Sequence, residues 1–390
     1  MADLLDWSNL VVRVVHLVAG IAWIGSSFYF IWLDSALTPP TPPRGGVEGE
    51  LWMVHSGGFY RVEKRLIGPG ELPAVLHWFK WEAAITWASG IVLLAIVYYL
   101  TGGVYLVDPS VADLSPAAAT AISVALLLAG WLVYDALWRS SLGRAGAPAT
   151  AVSLVLLAAT VFGLTRLLNG RAAYVHVGAL LGTLMVANVW LRILPAQQRM
   201  IDATMRGEQP DYGLGAAAKR RSVHNSYMTF PVLFIMVSNH FPSTWGSQLN
   251  WLLLALLIVA GAAARHAMIA RTAAARWTGL GLGAAAFAAA VTVGRWDGGT
   301  VGRTDGAAGF AQVREIIGSR CLSCHSAWPT DDVFKVAPNG VTFDSPDEVL
   351  RRRDLIRERV VTQRTMPLAN KTGMTEAERA LIARWAQLSP

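Results

Sequence analysis

The chain has 390 residues, of which 54% are hydrophobic and 15% charged. That is too apolar and too sparsely charged for one soluble domain, and it suits a membrane part followed by a small soluble part. The net charge of +7 does not argue for nucleic acid as a partner, because the basic residues sit mainly in loops between apolar runs, where membrane topology calls for them.

The fold class expected is all-α. An eight-span transmembrane helical bundle fills residues 1–294, a linker 295–303, and a small class I cytochrome c-like helical domain 304–390. The start of the chain is acidic, with Asp3 and Asp6, and lacks the basic region of a secretory signal. No cleavage is therefore expected, and the first run spans and stays. The apolar runs are 10–33, 83–100, 117–137, 149–168, 172–194, 228–241, 249–264 and 277–293. The sixth is short and contains Pro231, so a kinked or broken helix is expected there.

The loop after the first run opens with Thr38-Pro39-Pro40-Thr41-Pro42-Pro43-Arg44-Gly45-Gly46, a stiff turn leading into a flexible piece. Residues 51–64 then mix aromatics, His55, a glycine pair and paired charges. They read equally as part of a functional site and as an interfacial amphipathic helix. Arg44, Arg61, Lys64 and Arg65 lie in this loop, Arg139 and Arg144 follow the third run, and Lys219, Arg220 and Arg221 precede the sixth. Arg265, Arg271 and Arg276 follow the seventh run, while the alternate loops hold little besides Arg166 and Arg171. Basic loops stay in the cytoplasm. The expected location is a bacterial inner membrane, crossed many times, with both termini periplasmic.

Beyond the linker, helices are expected at 310–318, 346–361 and 375–387, the last capped by Thr375 with Glu378 three residues on. Between the first two lies Cys321-Leu-Ser-Cys324-His325. Cys-x-x-Cys-His is the attachment signature of haem c: the thiols add across the vinyl groups and the histidine supplies an axial nitrogen. A zinc site needs about four ligands, yet Cys321 and Cys324 are the only cysteines. A thioredoxin-like pair needs a βαβ setting that the sequence does not offer. Met366, which precedes Pro367, is the expected second axial ligand, ahead of Met374 at the start of the last helix. The metal ligands expected are thus His325 and Met366.

The remaining histidines fall into two layers. His16, His176 and His240 lie near the outer ends of three runs. Ligand-type side chains in a membrane are costly and usually functional. Two of these three would hold a haem b, with Arg13, Arg166 and Arg171 at hand for its propionates and Gly178 and Gly182 leaving room for a ring. The alternative is hydrogen bonding between helices. The inner layer carries His77-Trp78-Phe79-Lys80-Trp81-Glu82 at one run and Arg221-Ser-Val-His224-Asn225-Ser226-Tyr227 at another. Aromatic faces with Lys, His and Asn suit a planar anionic heterocycle; the alternative is anchoring at the membrane interface.

Together with Val14-Val15-His16-Leu17, Ala22-Trp23-Ile24-Gly25, Gly57-Gly58-Phe59-Tyr60-Arg61-Val62-Glu63-Lys64 and His224-Asn225-Ser226-Tyr227-Met228-Thr229 through Ser238-Asn239-His240, these stretches resemble the bacterial membrane-bound, cytochrome c-linked urate oxidase (urate hydroxylase) family. The resemblance covers the full length. It implies oxidation of urate to 5-hydroxyisourate without hydrogen peroxide, with electrons leaving through the cytochrome to a periplasmic acceptor such as a soluble cytochrome or terminal oxidase. His77, Lys80, Glu82, His224 and Asn225 are then the candidate catalytic residues. Two readings compete: a quinol-oxidising membrane cytochrome b/c protein, and a non-enzymatic transporter or sensor with a haem domain.

Overall fold

A computed structural model describes the chain apart from residues 1, 67, 69, 70, 72, 74, 110, 298–308 and 388–390. The expected linker lies outside the described residues from 298 onward. The chain forms two compact units. One comprises Met1–Leu93, Leu181–Phe230 and Ala262–Leu280; the other comprises Leu94–Leu180, Pro231–Gly261 and Gly281–Pro390.

Among the described residues, seven helices are long and apolar enough to cross a membrane: Trp7–Ala36, Trp81–Tyr99, Pro116–Arg139, Ala147–Thr165, Gly170–Met205, Asn250–Ile269 and Ala273–Arg295. They carry seven of the eight expected runs. The sixth run falls mostly on helix Tyr212–Ser238, where Arg221, His224, Asn225 and Ser226 leave only the later part apolar. That helix continues through Pro231 without the expected break, at the cost of one backbone hydrogen bond.

The all-α expectation needs a correction. Strands Val47–His55 and Gly58–Arg65 form an antiparallel hairpin, with His55 opposite Gly58 and Met53 opposite Tyr60. No amphipathic helix forms here. Ser56 and Gly57 both adopt positive φ, 49° and 75°, as a two-residue type I′ turn demands, and that turn's twist matches the strands it joins. Tyr29 Oη donates to Met53 Sδ at 3.5 Å, and Lys64 Nζ donates to Asp34 Oδ1 at 2.6 Å. The hairpin is thereby tied to helix Ala2–Ala36. Across the strands, Arg44 and Arg61 share Glu50 and Glu63.

In the second unit, helix Phe310–Arg320 packs with Glu376–Gln387 around a core of Val313, Ile316, Ile317, Val349, Ile382 and Trp385. The expected cap is present: Glu378 N donates to Thr375 Oγ1 at 3.2 Å, and Thr375 N donates to Glu378 Oε2 at 2.6 Å. A second capping box joins Ser345 and Glu348 at Pro346–Arg351. Each such cap contributes about 1 kcal/mol. The expected single helix over 346–361 is instead three pieces, Pro346–Arg351, Arg353–Ile356 and a π turn Arg357–Thr362. Arg352, at φ −107° and ψ 17°, interrupts it.

One loop of this region is held by charge. Lys371 Nζ donates to both Asp331 oxygens, at 3.0 and 2.8 Å, and the amides of Val333 and Phe334 donate to Oδ1. Burial alone would raise the Asp331 carboxyl, but these donors hold it well below the usual carboxylate range. The folded state therefore binds its proton less readily than the unfolded chain does. The stabilisation is complete above the ordinary carboxylate pKa, near 4, and fades as pH falls below it. Asp331→Asn should cost about 1–3 kcal/mol at neutral pH and flatten the acid limb of a circular-dichroism unfolding profile. An acid limb identical to that of the parent protein would rule this out.

Candidate functional site

A cavity of about 350 Å³ opens in the first unit, within the size range of small-ligand sites. Helix Ala2–Ala36 supplies Trp23, Ser26, Ser27 and Phe30, one helical face at i, i+3, i+4 and i+7. Helix Tyr212–Ser238 supplies Ser222, Asn225 and Thr229, again one face. Between them stand His77, Trp78 and Phe79 on one side and Met185, Val189, Ile193, Leu194 and Gln197 on another. The last group includes the π-helical turn Val189–Ile193, where Leu194 N donates to Val189 O. Pro195, just beyond, has no N–H for an α-helical bond, and the wider turn absorbs that loss.

Asn225 is the best-held polar side chain of the wall. Its Oδ1 accepts from Asn188 Nδ2 at 2.9 Å, and its Nδ2 donates to Met185 O at 2.9 Å. Asn188, fully buried, in turn accepts from Arg221 Nη1 at 3.4 Å. One hydrogen of Asn225 Nδ2 and one lone pair of its Oδ1 remain beyond these two bonds. His77 is exposed. Its ring meets Phe79 edge-on at 4.8 Å, and Phe79 meets Phe30 at 5.0 Å. A rigid amide inside and an imidazole at the rim thus flank four aromatic rings.

Of the five residues expected here, the structure brings His77 and Asn225 together on one cavity. Lys80, Glu82 and His224 are not among its lining residues. Lys80 Nζ lies over the rings of Trp78, Trp81 and Trp190 at 5.8–5.9 Å. Glu82 Oε2 is buried without a hydrogen-bond partner. Sequence reasoning does not single out Ser26, Phe30 and Gln197, and it reaches Trp23 and Thr229 only within the stretches that carry the family resemblance. The signal for them is polar and aromatic residues at helical spacing inside apolar runs.

The outer-layer histidines divide between the units. In the first, His16 Nδ1 faces Thr86 O at 2.8 Å and Ser89 Oγ at 3.1 Å. Gly90 leaves it space: a Cβ there would meet His16 Cε1 at 3.1 Å. In the second unit, His176 is fully buried, with Nδ1 on Ala172 O at 2.7 Å and Nε2 on Tyr99 Oη at 3.0 Å. His240 lies in the turn after helix Tyr212–Ser238, its amide donating to Val237 O. Arg171 donates to Asn239 Oδ1 at 2.8 Å, Arg166 stacks on Phe162, and Arg13 donates to Asn9 Oδ1.

Cys321 and Cys324 are free thiols just after helix Phe310–Arg320. Burial pushes the Cys321 thiol up to about 12 and raises that of Cys324, the opposite of a redox-active pair. His325 Nδ1 faces Val341 O at 2.9 Å, and its ring lies against Phe343. A donor hydrogen bond there leaves Nε2 as the lone-pair nitrogen. Met366 packs on the edge of the apolar core, and Met374 lies inside it at 3% exposure. Neither a curated protein nor a solved structure matches the chain. Residues 2–294 match the model of the urate oxidase N-terminal family, and the chain belongs to that family.

Proposed function

We propose that this chain is a membrane-bound oxidoreductase that converts urate to 5-hydroxyisourate and passes the electrons through a fused cytochrome c to a respiratory acceptor. The observation that carries the reading is the cavity: within the segment that matches the family, it joins flat aromatic walls to His77 and Asn225. Urate loses two electrons and two protons, and water adds at the oxidised carbon, so no oxygen is consumed and no peroxide forms.

The chain's own residues account for the binding. Trp23, Phe30 and Trp78 offer faces for a planar ring system. Asn225, fixed by Asn188 and Met185, keeps a donor and an acceptor to read the ring's amide edge. His77 sits at the rim, where a proton taken from the ring passes on to water. Glu82, with an unpartnered buried oxygen, is a second acceptor close behind the Trp81–Trp190 contact. Lys80 and His224 extend the same polar layer.

The residues present fit a haem c. Two thiols follow a helix end, one histidine has its Nδ1 within hydrogen-bond distance of a backbone carbonyl, and Met366 borders the apolar core. When bound, that haem accepts electrons one at a time. A haem b belongs to the proposal too, held by two of His16, His176 and His240. His176 would have to release Tyr99. Eight spans and periplasmic termini in a bacterial inner membrane complete the reading, and the loop charges are its support.

The test is an anaerobic visible spectrum of the purified full-length protein before and after urate. Urate should reduce the bound haem with two electrons per molecule consumed, and the spectrum also counts the haem types. Reduction by a quinol with no response to urate would overturn the proposal in favour of the cytochrome b/c reading. No reduction by either would favour the transporter or sensor.

A further inference from the structure

The hairpin of strands Val47–His55 and Gly58–Arg65 folds back along the end of helix Ala2–Ala36. Gly49 abuts Leu37, where a Cβ would meet Leu37 Cβ at 2.9 Å. Glu50 bridges Thr38, and Met53 meets Tyr29. From Gly49 to Met53 the strand advances about 13 Å, and from Leu37 back to Tyr29 the helix covers about 12 Å. The two therefore run side by side in opposite directions. The turn at residues 55–58 lies about 7 Å further on, level with Gly25.

That level has a meaning in a bilayer. The spanning segment of this helix starts at Trp7, and a hydrocarbon core of about 30 Å takes about 20 residues of helix. A core entered at Trp7 is left near Ser27, so the turn stands at its boundary and the base of the hairpin stands in water. The side chains follow the depth. Toward the turn, Val54 lies opposite Phe59 and Trp52 opposite Arg61; Trp52, Val54 and Phe59 are 62%, 69% and 81% exposed. Toward the base, Glu50 and Glu63 are neutralised by Arg44 and Arg61, and Lys64 by Asp34. Tyr29 and Trp32 of the helix are exposed beside them, and such aromatics gather in the headgroup layer. Among the described residues no third strand joins the sheet. A free strand edge is not tolerated in hydrocarbon, but hydrated headgroups satisfy it.

We propose that the hairpin is a membrane-docking element, with Trp52, Val54 and Phe59 seated among the lipid headgroups beside the first span. The occupant is lipid because the apolar end of the hairpin comes level with the bilayer boundary. The charges at its base are spent on one another, so the attraction is apolar and aromatic rather than electrostatic. Tyr29 and Asp34 fix the strands to the helix, and the lipid seat fixes the turn. This role holds whatever the substrate of the cavity is.

The experiment uses the full-length protein in phosphatidylcholine nanodiscs. Val54→Cys is labelled with bimane, and quenching by a nitroxide on the upper acyl chain is compared with quenching by aqueous iodide. The parent protein, treated alike, supplies the background from its own thiols. The lipid nitroxide should quench the Val54→Cys label about twofold or more, and iodide much less, as fits a seat about 5–10 Å into the headgroup and acyl boundary. Glu48→Cys, about 20 Å back along the same strand, should show the reverse; this contrast between two labelled variants guards against a fold lost through labelling. Iodide dominating at Val54→Cys would leave the hairpin in water and overturn the proposal. Equal lipid quenching at both positions would overturn the graded depth on which it rests. Protection of Val54→Cys from both quenchers would overturn it as well, and cross-linking between chains at that position would then mark the face as an interface between two copies.

Discussion

Cys321→Ala combined with Cys324→Ala should leave a protein that binds urate with parental affinity and delivers no electrons to an external acceptor. The two residues lie in the 310–387 region, and the described residues that line the cavity all belong to the first unit. The thiols are the covalent hold for the proposed haem, and neither contributes to the cavity wall. Binding followed by equilibrium titration and acceptor reduction followed by absorbance therefore separate. The axial sulfur is tested alongside. Met374 is pinned at both backbone atoms, its N donating to Asn370 Oδ1 at 2.9 Å and its O accepting from Asn370 Nδ2 at 3.0 Å. The backbone of Met366 is held as well, its N donating to Arg359 O at 3.1 Å and its O accepting from Arg379 Nη1 at 2.8 Å, but its side chain lies at the edge of the core while that of Met374 lies inside it, so Met366 is the freer to ligate. Met366→Ala should remove the sulfur–iron band at the red end of the spectrum and lower the reduction potential. If Met374→Ala removes the band instead, the axial assignment passes to Met374. Urate binding lost in the double cysteine variant would place the substrate against the cytochrome region and sink the division of labour.

The spans are legible because a run of about twenty apolar residues matches the thickness of a bilayer and is rare in soluble domains. Seven of the eight runs lie on helices of spanning length. The sixth is marginal for a reason that belongs to the site: Arg221, His224, Asn225 and Ser226 precede it on helix Tyr212–Ser238 and leave only the later part of that helix apolar, and Asn225 lines the cavity. The hairpin escapes sequence reasoning although its signal is present. Val54-His55-Ser56-Gly57-Gly58-Phe59 places a glycine at the second turn position, yet its aromatic and charged composition between two spans is equally that of a membrane-interface segment and masks the strand periodicity. The terminal helix is legible from its capping box, a local device that needs no tertiary knowledge.

The cavity is half legible. His77 and Asn225 announce themselves as polar groups beside apolar runs. Trp23, Ser26 and Phe30 do not, because a tryptophan, a serine and a phenylalanine are ordinary in a spanning helix; only their shared face gives them away.

Asn225→Leu should be the most damaging single change in the membrane part, and its damage should be of two kinds. Leucine is close in volume but makes neither of the two buried hydrogen bonds, from Asn188 Nδ2 and to Met185 O. Each partner left unmade costs about 1–3 kcal/mol, so thermal stability in detergent should fall by roughly 2–5 kcal/mol. The wall also loses its fixed amide, and urate turnover should drop by about a hundredfold or more, as when an orienting hydrogen bond is lost from an active site. Asn225→Asp keeps the acceptor for Asn188 but cannot donate to Met185 O, and it adds a negative charge where an anion is to bind. Its stability loss should be the smaller and its loss of urate affinity the larger. His77→Ala serves as the counterpart: the residue is exposed, so stability should stay within about 0.5 kcal/mol while proton removal slows by about 10²–10⁴. A differential-scanning melt and a steady-state urate assay on the three variants decide the matter. Parental turnover in Asn225→Leu, or a collapse of stability in His77→Ala, would mean that the cavity is a packing defect and the substrate binds elsewhere.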